Sequence, residues 1–215
     1  MASVPTGTTL AVATAFGAEK TVTAVTNAAE AAVSATAHGF SNGDYVQMKS
    51  GWGRLHRRVA RVKSVSADSF TLEGINTSNT NFFPAGGGVG TVRKITTWQT
   101  INKILRPQAS GGDPKNVTVK YLESDVEESI NDGFTAVSES FDIDADQVGQ
   151  TDYEALRALS EVQTDTVLRK ILRSGSIIVT PGRVALNENV KFADGQINTN
   201  TVAFNANGAI TRYAS

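Results

Sequence analysis

The sequence predicts a mainly β fold that carries one α-helix. Most of the 215 residues fall into short segments where apolar or β-branched residues alternate with polar ones, separated by Gly, Asn, Asp or Pro. One segment departs from this pattern, because Tyr153, Leu156, Leu159 and Val162 recur every third residue and predict an amphipathic helix. Such a helix is stable only when its apolar stripe lies on something. We therefore expect these four side chains to pack on a β-sheet.

Composition excludes several kinds of chemistry. The chain has no cysteine, which excludes disulfides and thiolate catalysis, and its two histidines leave little for a histidine metal site or proton relay. No apolar run approaches the roughly 20 residues of a membrane helix. The first six residues lack the basic start and apolar core of a signal peptide. We expect a soluble protein made in a cytosol, without catalytic residues, metal or cofactor.

Charge divides unevenly along the chain. Through Ile95 there are nine Lys or Arg against five Asp or Glu, a net charge of +4; from Thr96 there are eleven against sixteen, a net charge of −5. Such asymmetry can indicate contact with nucleic acid. It can equally give complementary surfaces to a protein that packs against copies of itself, which is the interpretation that we favour.

The first part of the chain comprises an N-terminal arm or leading strand, residues 1–19, and a β-rich region, residues 20–95. A turn at 41–44, in which Gly43 can take positive φ, leads into a strand. Gly86–Gly90 is not followed by Lys-Ser/Thr and a helix, so we interpret it as a flexible link and not as a phosphate loop. The predicted strands of this part are Thr21–Thr26, Ala31–Thr36, Tyr45–Met48, Arg57–Val65 and Ser69–Leu72.

A basic stretch in this region has two interpretations. Its cations lie near Trp52, and a basic strand beside an aromatic side chain can bind single-stranded nucleic acid. The alternative, which we favour, is a solvated strand face that prevents edge pairing or that meets an acidic neighbour. The residues of the stretch are Arg54, Arg57, Arg58, Arg61 and Lys63.

The second part, residues 96–215, is predicted to be one continuous β domain around the helix. Thr151 and Glu154 form a predicted capping box at the helix start. Residues 166–173 suit helix or strand by period alone, and the Ser174–Gly175 turn into a clear strand favours a strand. The predicted strands are 97–105, 116–122, 134–143, 166–173, 176–180, 182–188, 190–193 and 200–204, with turns at 109–115, Pro181–Gly182, Asp194–Gly195 and Asn207–Gly208.

An acidic loop follows the strand at 116–122. Five carboxylates suggest a metal, but the loop lacks the residue order of a calcium loop, and a pair of hydrolytic carboxylates would need a cleft. Apolar residues within the loop favour docking on another subunit. The residues that we assign to a subunit-contact loop are Glu123, Asp125, Val126, Glu127, Glu128, Ile130 and Asp132.

Two resemblances add to this interpretation. His38–Val46, Val59–Val65 and Asp68–Ile75 resemble a small β-barrel module that recurs as an insertion in phage tail and other structural proteins. The segments 97–101, 116–122 with its acidic loop and 131–143 continue with Gly149–Gln150 and 173–180. In this order and spacing they resemble the tail-tube, or major tail, protein of long-tailed bacteriophages.

The resemblance to tail-tube proteins implies a two-sheet β-sandwich or barrel flanked by one helix at 151–163, with the module at 20–95 inserted. It implies stacked rings of six copies, assembled in the host cytoplasm into a virion tail, with a tape-measure protein and DNA in transit as partners and no membrane. The acidic loop would then contact the next ring or line a channel that repels DNA. The basic stretch would oppose transit inside the lumen, so we expect the module on the outside of the tube.

Two alternatives remain. The chain could be a tail-terminator or distal-tail ring protein of the same fold. It could also be a β module that binds nucleic acid or a glycan through Trp52 and the basic stretch.

Overall fold

A computed structural model describes residues Thr6–Ala214. The prediction of a mainly β fold with one α-helix is confirmed for this part of the chain. The helix, α1, spans Thr151–Val162 and follows a short 3-10 turn at Ala145–Gln147. The strands, in chain order, are β1 (Thr9–Phe16), β2 (Lys20–Val22), β3 (Ala24–Val25), β4 (Ala32–Ser34), β5 (Tyr45–Ser50), β6 (Val59–Lys63), β7 (Ser69–Leu72), β8 (Gly90–Ile101), β9 (Ile104–Ser110), β10 (Pro114–Val119), β11 (Glu128–Phe134), β12 (Ser138–Asp144), β13 (Thr166–Ile171), β14 (Ile177–Lys191), β15 (Thr199–Ala206) and β16 (Thr211–Tyr213).

Fourteen strands form one curled, antiparallel sheet in the order β3-β4-β7-β6-β5-β8-β1-β13-β14-β15-β12-β9, with β2 also on β8 and β16 also on β14. The remaining pair, β10 and β11, forms a separate two-stranded sheet. Strand β8 is twelve residues long and pairs with β1, β2 and β5. The predicted boundary at residue 95 therefore falls inside β8, which carries hydrogen bonding without a break from the first part of the chain into the second.

Two large hydrophobic clusters lie in the two parts of this sheet. One cluster is drawn from residues between Val22 and Val92 and includes the buried Trp52 and Phe70. The other combines β1 with strands after residue 100 and with the helix, and includes Phe204. A smaller cluster around Tyr213 joins the two parts. Because the sheet curls, β13 and β12 face each other across the second cluster, and Lys170 on β13 reaches Glu139 on β12 at 2.7 Å.

Strand β1 lies within the predicted N-terminal arm or leading strand, residues 1–19. Residues 1–5 of the predicted arm lie outside the described residues. Of the two possibilities, arm or leading strand, the strand is observed: β1 lies between β8 and β13, and its residues 10–13 are buried. A strand that is paired on both edges and buried on both faces is an integral part of the core, which explains its small apolar residues.

The helix begins and ends where the sequence predicts, but its predicted capping box is wrong. The N-cap is Gln150, whose backbone is extended and whose side chain makes no capping bond, so Thr151 is already the first helical residue. Glu154 instead accepts a hydrogen bond from the backbone N–H of Gly149 at 3.1 Å. Asp152, also in the first turn, accepts two hydrogen bonds from Asn102 at 3.0 and 3.1 Å and so ties the helix to the turn after β8.

The predicted apolar stripe of the helix is only partly on the sheet. Tyr153 and Leu156 are buried in the second cluster, and Leu159 packs against it. Val162 is 68% exposed, which corrects the expectation that it packs there. The reason is geometric: at 3.6 residues per turn, nine residues rotate by about 900°, which places Val162 roughly half a turn away from Tyr153. A strict three-residue spacing drifts around the helix and cannot keep one face.

Three further predictions are corrected. The predicted strand 97–105 is two strands, β8 and β9, because the chain turns at Asn102–Lys103, where Lys103 has φ +50°. The second half of the predicted acidic loop is strand β11. Pro181–Gly182 is not a turn but the middle of β14, where a Cβ on residue 182 would collide with the Phe204 ring and a neighbouring carbonyl oxygen. Glycine inside a strand here marks close packing and not a chain reversal.

The segment 166–173, whose period fits helix or strand, forms strand β13 over Thr166–Ile171. Residues 69–72 form β7 with the predicted bounds. The Gly86–Gly90 link includes turns, and Gly90 begins β8 so close to β5 that a Cβ would overlap the carbonyl oxygen of Lys49. This part of the link is therefore packed against the sheet.

Candidate interaction surface

The hairpin of β10 and β11 stands apart from the main sheet. Its register places Val117 opposite Ile130 and Thr118 opposite Ser129. Since side chains alternate between the faces of a strand, Val117 and Ile130 share one face with Val119, while the threonine and serine lie on the other. An isolated two-stranded hairpin is marginally stable in water, and this one has an uncovered apolar face.

Exposed apolar side chains are concentrated on this hairpin. Leu122, in the connecting loop, is fully exposed, and Phe134, at the base, is 72% exposed. A contiguous set of large apolar groups in solvent is typical of a contact surface. The exposed large apolar residues of the hairpin and its loop are Val117, Tyr121, Leu122, Val126, Ile130 and Phe134.

The acidic residues of the predicted contact loop are on the same hairpin. All seven predicted residues are exposed: Glu123, Asp125, Val126 and Glu127 in the connecting loop, and Glu128, Ile130 and Asp132 on β11. Among the described residues, only Asp132 has an ion-pair partner, Lys115, at 3.8 Å between two exposed side chains. The structure thus brings the predicted acidic and apolar residues together on one hairpin whose charges are mostly unpaired among residues 6–214.

In contrast to the hairpin, three cations of the basic stretch have ion-pair partners within the chain. Arg61 makes a two-pronged contact with Glu73, with Nε–Oε2 and Nη2–Oε1 distances of 2.5 and 2.7 Å. Lys63 pairs with Glu30 at 2.6 Å, and Arg57 pairs with Asp165 at 3.3 Å. These three cations therefore meet acidic neighbours, as in the interpretation that we favour over nucleic-acid binding. Arg54 is exposed and lies over the Phe82 ring at 3.5 Å.

Part of the basic stretch connects the module to the rest of the sheet. The Tyr213 hydroxyl accepts a hydrogen bond from the backbone N–H of Arg61 at 2.6 Å, and the Arg58 Nε donates to Thr211 at 3.2 Å. Burial raises the pKa of the Tyr213 phenol to about 12, so this group stays neutral across the physiological range. The hydrogen bonds of Arg61 lower the pKa of Glu73, which stays ionised. Arg57, Arg58, Arg61 and Lys63 are partly buried and do not form an open phosphate-binding face.

A second exposed apolar site was not predicted from the sequence. The loop 192–198 joins β14 to β15 and exposes Phe192 by 81% and Ile197 by 57%. The loop borders a cleft of about 410 Å³ that also includes Arg106, Lys191 and Asp142. The signal in the sequence was the pair of large apolar residues that flanks the Asp194–Gly195 turn, since hairpin tips are usually polar.

No group of three or more His, Cys, Asp or Glu residues within Thr6–Ala214 is arranged to hold a metal ion. None of the helices in that range has the length and apolarity required to span a membrane. The two surfaces provide contact area. They consist of exposed apolar side chains and, on the hairpin, of carboxylates that mostly have no ion-pair partner among the described residues.

Comparison with known proteins identifies a family. A family model described as phage tail tube protein matches residues 50–215. The search of curated proteins finds no match. Eight chains of solved structures match, one of them from the tail of an empty GTA particle determined by helical refinement with C6 symmetry. That chain is 20% identical to this one, with a TM-score of 0.42 over 55% of this chain and 88% of its own length.

Proposed function

We propose, from the premise that this chain belongs to the phage tail tube protein family, that it self-assembles into stacked rings that form the tube of the tail. As a member of that family it is a structural protein of a phage tail and a component of the virion. We further propose that six copies form each ring and that the rings stack around a tape-measure protein in the host cytoplasm. DNA later passes through the lumen without specific binding.

One observation carries the proposal: within Thr6–Ala214 the β10–β11 hairpin exposes an apolar face and carboxylates that mostly lack ion-pair partners, and it pairs with no strand of the main sheet. A hairpin of this kind gains stability when a partner covers its apolar face, because that burial contributes about 25 cal/mol per Å². Tail rings need contacts of this sort between copies. We therefore assign the predicted loop, 123–132, to contact with a neighbouring copy in the next ring.

The basic stretch supports the same function and not nucleic-acid binding. Three of its five cations are paired with carboxylates inside the chain, and a phosphate would have to displace those partners. We propose that the module lies on the outer surface of the tube, where the exposed Arg54 does not meet the DNA.

The test is electron microscopy of the purified chain together with a hairpin variant. We expect rings or tubes from the natural sequence, and loss of both from Leu122→Ser with Val126→Ser, while circular dichroism shows an unchanged β-rich fold. Val89→Ser is the matched control, since Val89 is an exposed valine in the first part of the chain. A natural chain that stays monomeric under all conditions, or a hairpin variant that forms normal tubes, would contradict the proposal. Isolated single rings would instead indicate a tail-terminator or distal-tail ring protein.

A further inference from the structure

We propose that the cleft beside the 192–198 loop receives the tip of the β10–β11 hairpin from a second copy of this chain. The inference rests on the proposed function and specifies the acceptor surface for the contact. It follows from the positions of the two surfaces, from their apolar groups and from their charges.

The hairpin and the loop 192–198 lie at opposite ends of the same strands, and the cleft extends from the loop along β9 and β12 as far as Gln108 and Ser140. At one end, Ser110 of β9 and Ser138 of β12 are register partners, and the hairpin emerges between them. At the other end, Ile104 pairs with Ile143, close to where loop 192–198 leads into β15. Strand β15 has eight residues, so the two ends are roughly 25 Å apart at about 3.4 Å per residue.

Both surfaces combine exposed apolar groups with charge. The cleft presents Phe192 and Ile197, and the hairpin tip presents Tyr121, Leu122 and Val126. Folding of a single chain leaves these side chains in water. Packing the hairpin tip of one copy against the cleft of another removes both sets of side chains from water.

The hairpin tip is acidic, whereas the more exposed charges at the acceptor surface are cations. At the cleft, Arg106 and Lys191 contact Asp142 at 3.0 and 3.7 Å, and outside its lining Lys103 contacts Asp144 at 3.5 Å. The side chains of the cations are 51 to 58% exposed, but the carboxylates beneath them are only 12 and 24% exposed. The outward face of these pairs is therefore cationic, although Asp194 in the loop is also exposed.

The hairpin tip presents Glu123, Asp125 and Glu127, none of which has an ion-pair partner among the described residues. Opposite potentials favour this docking and disfavour contact between two hairpin tips, since like charges repel. Lys120 is the one cation close to the tip in sequence.

A contact between opposite ends of the same molecule joins copies head to tail. Each copy then carries one donor, the hairpin tip, and one acceptor, the cleft, so the contact uses two different surfaces and repeats along an axis when its rotation does not close a ring. This is the geometry that stacked rings require.

The experiment is thiol cross-linking, because the natural chain has no cysteine. Ser124→Cys and Ala193→Cys are introduced together, because these residues lie beside the apolar contact residues and leave them unchanged. The assembled protein is treated with a bis-maleimide, and products are separated on a denaturing gel. We expect a covalent ladder of dimers, trimers and longer species. Mixed chains that carry one substitution each should give a dimer and no ladder.

The matched control replaces Ala193→Cys with Val89→Cys, which puts an exposed thiol on the first part of the chain. We expect the ladder to be lost. If tubes form but the 124–193 pair gives no more product than the 124–89 pair, the cleft is not the acceptor and the proposed function still stands. If the natural chain forms no assembly, both proposals fail.

Discussion

The basic stretch around β6 and the acidic hairpin β10–β11 are the two charged regions of this molecule, and they differ in where their partners lie. The cations of the first find carboxylates within the chain: Arg61 contacts Glu73, and Lys63 contacts Glu30. The carboxylates of the second have almost none, and the one pair that forms, Lys115 with Asp132, is wide and exposed.

We interpret the paired charges of the basic stretch as contributing to folding and the unpaired charges of the hairpin as contributing to assembly. Charges that are paired and partly buried inside the chain stabilise the module and its junction with the rest of the sheet. Charges that remain unpaired beside exposed apolar groups contribute little to folding, and they are available to another copy. The predictions below test this separation through the free energy of unfolding of the isolated chain, from the largest expected change to the smallest.

The largest change is expected from Leu156→Asp in the helix. Leu156 is 1% exposed in the second cluster, and aspartate there loses the apolar contacts and buries an unpaired charge. We expect a loss of about 4 kcal/mol or more, which abolishes cooperative unfolding or the fold itself. Chemical denaturation followed by circular dichroism measures it.

Val162→Asp is the matched control, because it makes the same kind of change on the same helix at an exposed position. We expect a change within about 0.5 kcal/mol. Equal losses in the two variants would show that the assigned helix face is wrong.

An intermediate change is expected from Glu73→Gln, which leaves the Arg61 guanidinium facing an amide. The amide accepts one hydrogen bond in place of two charge-assisted ones, and we expect a loss of about 1 to 2 kcal/mol. Asp132→Asn in the hairpin removes the exposed partner of Lys115 and is expected to cost less than about 0.5 kcal/mol. If the hairpin substitution costs as much as the one in the module, the distinction between the two regions is lost.

The smallest change is expected with pH. The Arg61 guanidinium lowers the pKa of Glu73 below its ordinary value of 4.5. The folded chain therefore holds this proton less tightly than the unfolded chain, so the contribution is fully present above about pH 4.5 and is lost as the pH falls through the lower, folded-state pKa. The protonated carboxyl can still accept a hydrogen bond, which keeps the loss below that of the substitution.

Denaturation of the natural chain and of Glu73→Gln at a series of pH values measures this contribution. We expect the difference between the two chains to shrink as the pH falls below 4.5. A difference that stays constant would mean that Arg61 does not act on the ionised form.

Local patterns in the sequence predicted much of the fold. The period of apolar residues placed the helix at 151–162, strand β7 lies where polar and apolar residues alternate, and strand β13 was predicted from the Ser174–Gly175 turn that follows it. The acidic loop was predicted to be a contact surface because apolar residues inside a polar loop are anomalous wherever the loop lies. These features depend on residues close together in the chain.

The rest depended on partners that are distant in sequence. Whether Arg57 is free or paired is decided by Asp165, more than a hundred residues away, and whether Gly182 is a turn is decided by Phe204 against it. The cleft forms only when β9, β12 and the 192–198 loop meet. By itself the sequence determined the helix, the mainly β class of the rest and the residues that lack a local purpose. Only the tertiary structure decided which charges are neutralised within the described residues and which remain unpaired there, because neutralisation is a property of distances across the fold.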